Sequence, residues 1–321
     1  MPRIEEKGTV RLPGLEGGKN ASAIAFWEKR ALVVADELAP EGNVVQVYDP
    51  EGDQFPTAPR LIVLDEPGHP VAEMDLEGIA VHGSTVYVLG SHSARRKKTD
   101  PDKKRTANQR VLMSPAEAQP ARDVLLRLEL DAGGGARSID RSSLLPFLDE
   151  TEPFKSFRAI ASKENGVDLE GIAIWRDNLY VGFRGPVLRG NFTPVLRCRF
   201  GSPIVNPEVL FLDLGGRGVR DLAHAEGGLL VLAGPVGDGP GSYRLYFWDG
   251  KDGTPGRDVA ATGAASLQLL GELSPPAGQP ARAKPEGLGL AEEGDHHWDI
   301  VVVFDGLEDG HATRYRVEKP V

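Results

Sequence analysis

Three glutamates, Glu77, Glu170 and Glu286, each precede a glycine and each open an apolar run (EGIAV, EGIAI and EGLGL). Asp305 closes another apolar run, VVVFD, and adds a carboxylate in a similar setting. Drawn to one point, these hard oxygen donors suit a cation of the Ca2+ kind, which takes about 6–8 oxygen ligands. Crowded carboxylates in a low-dielectric spot cannot all ionise unaided. One keeps its proton, a cation binds, or basic side chains neutralise them. Arg184, Arg220 and Lys284 occupy the matching places for neutralisation, and equally for gripping an anionic substrate. His92 stands where a general base is wanted. Glu170, Arg184 and His92 are therefore the candidate catalytic groups. Glu77, Glu170, Glu286 and Asp305 are the candidate metal ligands. A metal-free ring of salt bridges accounts for the same residues, and both readings stand.

These residues are far apart along the chain, so a fold must gather them. The stretch DLEGIAVHGSTVYVLGSH (75–92) is written again as DLEGIAIWRDNLYVGFRG (168–185). Weaker copies are NASAIAFWEKRALVVADE (20–37), GVRDLAHAEGGLLVLAGP (218–235) and the stretch from 283 to 306. Self-similarity at roughly 50 residues marks a repeat architecture. Each copy reads as an inner strand, a brief turn and a returning strand. The start of the first and the end of the second then share one rim. Asn20, Ser22, Asp75, Asp168 and Asp221 join the candidates at the strand starts, with Asp36, Glu37, Ser91 and Arg184 at the strand ends. For Asp75 and Asp168 a structural role, bonding neighbouring backbone N–H groups, is the favoured reading.

Further short strands follow each copy, which is the size of a four-stranded propeller blade. The first repeat reads SAIAFW, ALVVAD, NVVQVYD and PRLIVLD. The fifth ends one strand short, and GTVRLPG (8–14) near the N-terminus supplies the missing strand. Closing the ring in this way removes exposed edges. The expectation is an all-β, five-bladed β-propeller within a single domain, residues 1–321. The 93-residue gap between the second and third repeats leaves room for a sixth, degenerate blade. Two departures lie in that gap: a basic insertion at 93–122 and an irregular segment at 138–166. In the insertion a helix is predicted to start at Asp100 and Pro101. No fourth strand of the second blade can be placed in the irregular segment. Arg95 and Arg96 lead the basic insertion, which should overhang the rim and hold phosphate oxygens; a solvated loop is the plainer alternative.

The 321 residues carry a net charge of −10, which argues against nucleic-acid or anionic-membrane binding by the surface as a whole. The single cysteine, Cys198, excludes internal disulfides and thiolate zinc clusters and reads as a buried hydrophobe. The N-terminal MPRIEEKGTVRL has no apolar core of a signal peptide, and no apolar run approaches membrane-spanning length, so a cytoplasmic location is expected. GxSxG, HExxH, Walker and GxGxxG motifs are missing, so no organic cofactor is expected. The tryptophans and FW pairs read as inter-blade packing.

With DLEGIAV, DLEGIAI, FRGPVLRG (183–190), VRDLA (219–223) and KPEGLGL (284–290), the sequence resembles an uncharacterised bacterial β-propeller family related to the esterase-like phytase propellers. Calcium-dependent phytase propellers, more distantly similar, bind several Ca2+ ions at one face and hydrolyse phosphomonoesters there. The resemblance implies that Glu77, Glu170 and Glu286 hold the acid positions of such a face and Arg184 the arginine of the RGP motif. Ser22 and Arg220 depart from that pattern. The functional expectation is a phosphoester or other anionic small-molecule site at the channel mouth, with Ca2+-dependent hydrolysis as its enzymatic form. The alternative is a non-catalytic scaffold binding a protein or peptide at the same rim.

Overall fold

Beyond the polar residues near their starts, the inner strands of the repeats are largely apolar, and the outermost strands are the most exposed. That gradient dictates a ring in which the inner strands are buried on both faces. The computed structural model describes residues 4–52, 54–257, 259, 265–307 and 311–320. Strand β1 (Ile4–Thr9) precedes a first blade of β2 (Ala21–Trp27), β3 (Arg30–Ala35), β4 (Val44–Tyr48) and β5 (Arg60–Val63). Blade 2 begins with β6 (Leu76–His82) and β7 (Thr85–Gly90). The chain then leaves through β8 (Ala94–Arg95), α1 (Arg105–Leu112) and β9 (Glu117–Ala118), and returns as β10 (Leu125–Leu130) and β11 (Ala136–Ser142). Helices α2 (Leu145–Glu150) and α3 (Phe154–Phe157) lead to blade 3. This blade holds β12 (Asp168–Trp175), β13 (Asn178–Gly185), β14 (Phe192–Arg199) and β15 (Val205–Asp213). Blade 4 is β16 (Gly218–Ala225), β17 (Gly228–Gly234), β18 (Tyr243–Trp248) and β19 (Leu267–Leu273). Blade 5 is β20 (Lys284–Glu293), β21 (His297–Asp305) and β22 (Thr313–Glu318), completed by β1.

The inner strands β2, β6, β12, β16 and β20 touch in cyclic order, so the five blades close into a propeller. Strand β12 is buried almost throughout, whereas β15, at its blade's edge, is largely exposed. Five hydrophobic clusters fill the five blade interfaces. Aromatic residues sit across them as expected: Trp248 meets Tyr180 edge-on at 5.8 Å, and Phe247 stacks on Trp298 at 5.2 Å. Cys198 is a packed core residue, and burial pushes its thiol up to about 12.

Near the axis one carboxylate pins three blades. Asp221 accepts the N–H of Leu222 at 2.8 Å on its own strand and that of Leu288 at 2.6 Å on β20. It accepts the Ile172 N–H of β12 as well.

Three expectations need correction. The closing strand is Ile4–Thr9, pairing with β22 from Ile4–Val317 to Thr9–Thr313, instead of 8–14. Beyond Thr9 the chain turns inward, and Val10 and Leu12 fill the interface of blades 5 and 1. Helix α1 starts after Lys104 because Asp100 is spent on a turn, its Oδ1 accepting the Asp102 N–H at 3.0 Å and its carbonyl the Lys103 N–H. The missing strand of blade 2 is β11, and no sixth blade forms among the described residues. Instead Leu144, Leu148 and Phe154 of the irregular segment are buried between blades 2 and 3, with Phe154 stacked on Phe183 at 4.6 Å.

Candidate functional site

Every inner strand carries a β-bulge at the same register. The ladder steps from Ala21 to Ala23, Leu76 to Gly78, Leu169 to Gly171, Val219 to Asp221 and Pro285 to Gly287. The residues skipped are Ser22, Glu77, Glu170, Arg220 and Glu286. A bulge unpairs one residue and re-aims its side chain; five at one level direct five side chains to the channel. The glycine after each bulged glutamate is needed for close approach. A Cβ on Gly171 would lie 2.8 Å from the Asp221 Cα, and one on Gly287 would lie 2.7 Å from the Ala23 Cα.

On the blade 3–5 side these residues neutralise one another. Arg184, skipped by the ladder of β13, lies 2.6 Å from Glu170 and 3.6 Å from Asp168, and its Nε donates to the Val236 carbonyl at 2.7 Å. Arg220 Nε is 2.9 Å from Glu170, and its Nη2 bonds Glu286. Burial opposes the charge on Arg184, but Glu170 and Asp168 outweigh it and hold its pKa above the ordinary range. Asp168 is pushed up to about 8 by burial and then by Glu170, against Arg184. Glu286 is raised by burial, with Arg220 opposing.

The blade 1–2 side is different. One carboxylate oxygen each from Asp36, Asp75 and Glu77 lies within 4.8 Å of the others. Asp75 is held by Arg122 at 2.7 Å and by the Ser91 hydroxyl, while Arg122 also grips Glu73. Burial nevertheless keeps Asp75 above its ordinary value. Asp36 Oδ1 is buried with no hydrogen-bond partner among the described residues. Burial first, then Asp75, Glu286 and Asp305, push Asp36 up to about 8. Glu77 is raised well above the usual range by burial, Glu170, Asp75, Asp36 and Glu286. This donor set, all hard oxygens, suits a divalent cation, or else protons replace it.

Glu77, Glu170 and Glu286 thus converge, as their register predicted, with Arg184 and Arg220 among them. Asp305 lies beside them but is paired with Lys284 at 3.3 Å. His92, expected as a rim base, is fully buried: Nδ1 is 2.8 Å from the Gly90 carbonyl, and Nε2 accepts the Leu144 N–H at 3.0 Å. Burial lowers it to about 4. It stays neutral with both nitrogens occupied, a structural residue in place of a base. Arg96 is held by Glu164 at 2.6 Å, and Arg95 is exposed on β8 opposite Glu117. Sequence reasoning missed Arg122, Lys163 and Asp238. The first ends the insertion and the others sit in segments outside the repeat, where no register exists to place them. Asp36 and Asp75 lay at the predicted rim, but nothing in their spacing singled them out as a pair with Glu77.

A family model described as a protein of unknown function, DUF3616, matches residues 20–318. The chain belongs to that family. A sequence comparison with curated proteins gives no match. Among solved structures, this DUF3616 chain is similar to a sialidase of Trypanosoma rangeli (TM-score 0.44, 11% identity, covering 98% of this chain and 58% of that one). It is similar to a DUF4623 family protein of Bacteroides eggerthii (0.44, 7%, 95% and 72%). A hypothetical protein of Leishmania major is also similar (0.43, 11%, 99% and 91%).

Proposed function

We propose that the channel mouth is a cation-dependent site for a small anionic ligand of the phosphoester class. Asp36, Asp75 and Glu77 hold a Ca2+-like ion, and the lysines of the opposite side meet the anion. One observation carries the reading: three carboxylates from two blades within 4.8 Å, among which Asp36 has a buried oxygen without a partner among the described residues. A bound cation would satisfy that oxygen and polarise a phosphoryl oxygen, which is the basis for proposing phosphoester hydrolysis. The likeness of the DLEGIA and RGP motifs to phytase-like propellers supports the same ligand class.

Ca2+ titration with a thermal-unfolding readout tests the site. The melting temperature should rise with Ca2+ in the wild type and stay flat in Asp36→Asn and Glu77→Gln. A wild type that ignores Ca2+ removes the cation from the proposal. Nitrophenyl phosphoesters assayed with and without Ca2+ test the chemistry, and equal inertness in both removes hydrolysis.

A second reading, a non-catalytic rim that docks a protein or peptide, is favoured by one feature of the insertion. Helix α1 buries none of its residues, and Leu112 and Met113 at its end are exposed.

A further inference from the structure

The loop between β17 and β18, PVGDGPGS (235–242), returns over the mouth. Arg184 anchors it by the Val236 carbonyl at 2.7 Å. Two residues on, the Asp238 carboxylate lies 3.3 Å from Lys163 Nζ and 4.0 Å from Lys284 Nζ. Lys163 comes from the segment after α3, Lys284 from the start of β20, and Asp238 from blade 4, so three remote pieces of chain meet here. Lys98 of the insertion lies near enough to add to the positive field on Asp238. Burial alone would raise the Asp238 pKa, but the three lysines outweigh it and hold the carboxylate below its ordinary value. The other groups facing this cluster are Arg184 and Glu286 beside Lys163, and Asp305 at 3.3 Å from Lys284.

We propose that Lys163 and Lys284, with Lys98 beside them, form an anion subsite at the channel mouth, and that Asp238 occupies it as an internal stand-in which the oxyanion of a small ligand displaces. This deepens the reading of the mouth as an anionic-ligand site and rests on it. Two kinds of ion pair in the mouth are told apart by exposure. The Arg220–Glu170 pair is 3% exposed on both sides and is part of the fold. Lys163 and Asp238 are 43% and 45% exposed, and Lys284 is 30% exposed. Ion pairs so open to water contribute little and exchange readily. A phosphate or carboxylate oxygen entering from solvent can therefore take the lysines from Asp238, gaining charge-assisted hydrogen bonds of the same type. The loop lends itself to release. Gly237, Gly239 and Gly241 leave it with few side chains, and a Cβ on Gly239 would meet nothing within 4 Å among the described residues.

Calorimetric titration of the full chain with inorganic phosphate tests the proposal in wild type, Asp238→Asn, Lys163→Ala and the double variant. Asp238→Asn should bind phosphate about threefold to tenfold more tightly, as expected when a weak internal competitor is removed. Lys163→Ala should weaken binding, and the double variant should lose the gain. Unfolding curves on the same samples confirm that the variants remain folded. An Asp238→Asn protein that binds phosphate no more tightly than wild type overturns the subsite, and so does a Lys163→Ala protein that binds it equally well. Ca2+ titrations separate this from the cation site. Tightened phosphate binding without any Ca2+ response keeps the subsite and removes the cation. A normal Ca2+ response with unchanged phosphate binding does the reverse.

Discussion

The two sides of the channel mouth draw on the same repeat and arrive at opposite electrostatics. On the blade 3–5 side, Asp168, Glu170 and Glu286 share Arg184 and Arg220 in a closed, buried network. On the blade 1–2 side, Asp36, Asp75 and Glu77 crowd together, and Arg122 reaches Asp75 from outside the cluster. The difference lies in one register position. Blade 4 places Arg220 at its bulge, where blades 2, 3 and 5 place glutamate and blade 1 places Ser22. An arginine there turns one arc of the ring into structure. The arc without one is left with charge that protons or a cation must balance.

The largest expected effect is on the neutralised side. Arg220→Ala leaves Glu170 and Glu286 buried without their shared cation and should cost about 3–5 kcal/mol in urea unfolding. A loss comparable to a surface substitution would show that the network is not structural.

The acidic side should respond most to pH. Asp36 is pushed up to about 8, above an unfolded value of about 3.9. Between those values the native state holds protons that the unfolded state has released, so stability is greatest at the acid end. Without Ca2+, unfolding free energy should fall as pH rises from about 4 through about 8. Asp36→Asn should remove its share of that slope, and Ca2+ should offset the fall above pH 7. A flat profile would remove the charge imbalance from this side.

Glu77→Gln takes away one of the crowded negative charges. It should stabilise the Ca2+-free protein at pH 8 by about 1 kcal/mol, within the usual range for relieving such a defect. Destabilisation would mean that Glu77 already has a partner. The smallest effect belongs to the insertion, where Arg96→Ala breaks the solvent-screened pair with Glu164 and should leave the urea midpoint almost unchanged.

Much of the fold was legible because a bladed ring repeats its instructions. DLEGIA, written twice, showed the inner strand and the glutamate that faces the channel. The returning strand followed from the turn. Legibility stopped where periodicity stopped. Strand β11 was hidden because ARSIDRS has no apolar alternation: it is an edge strand with water on one side. The closing strand was placed too late because VRL carries the stronger apolar signal, whereas IEEKGT pairs through its backbone with modest burial. His92 matched the rim register, but Leu144, just before helix α2, donates its N–H to the ring's free nitrogen.

By itself, then, the sequence determined that distant carboxylates and arginines share a level around one axis, because strand alternation and repeat spacing are local properties of the chain. Which of them find a counter-charge was decided by tertiary structure. Arg122 arrives from the end of the insertion, Lys163 from the segment after α3 and Asp238 from a glycine-rich loop, and none of these obeys the repeat. Electrostatic energy depends on separation and burial in space. Those are set where unrelated segments meet, and a one-dimensional pattern does not encode them.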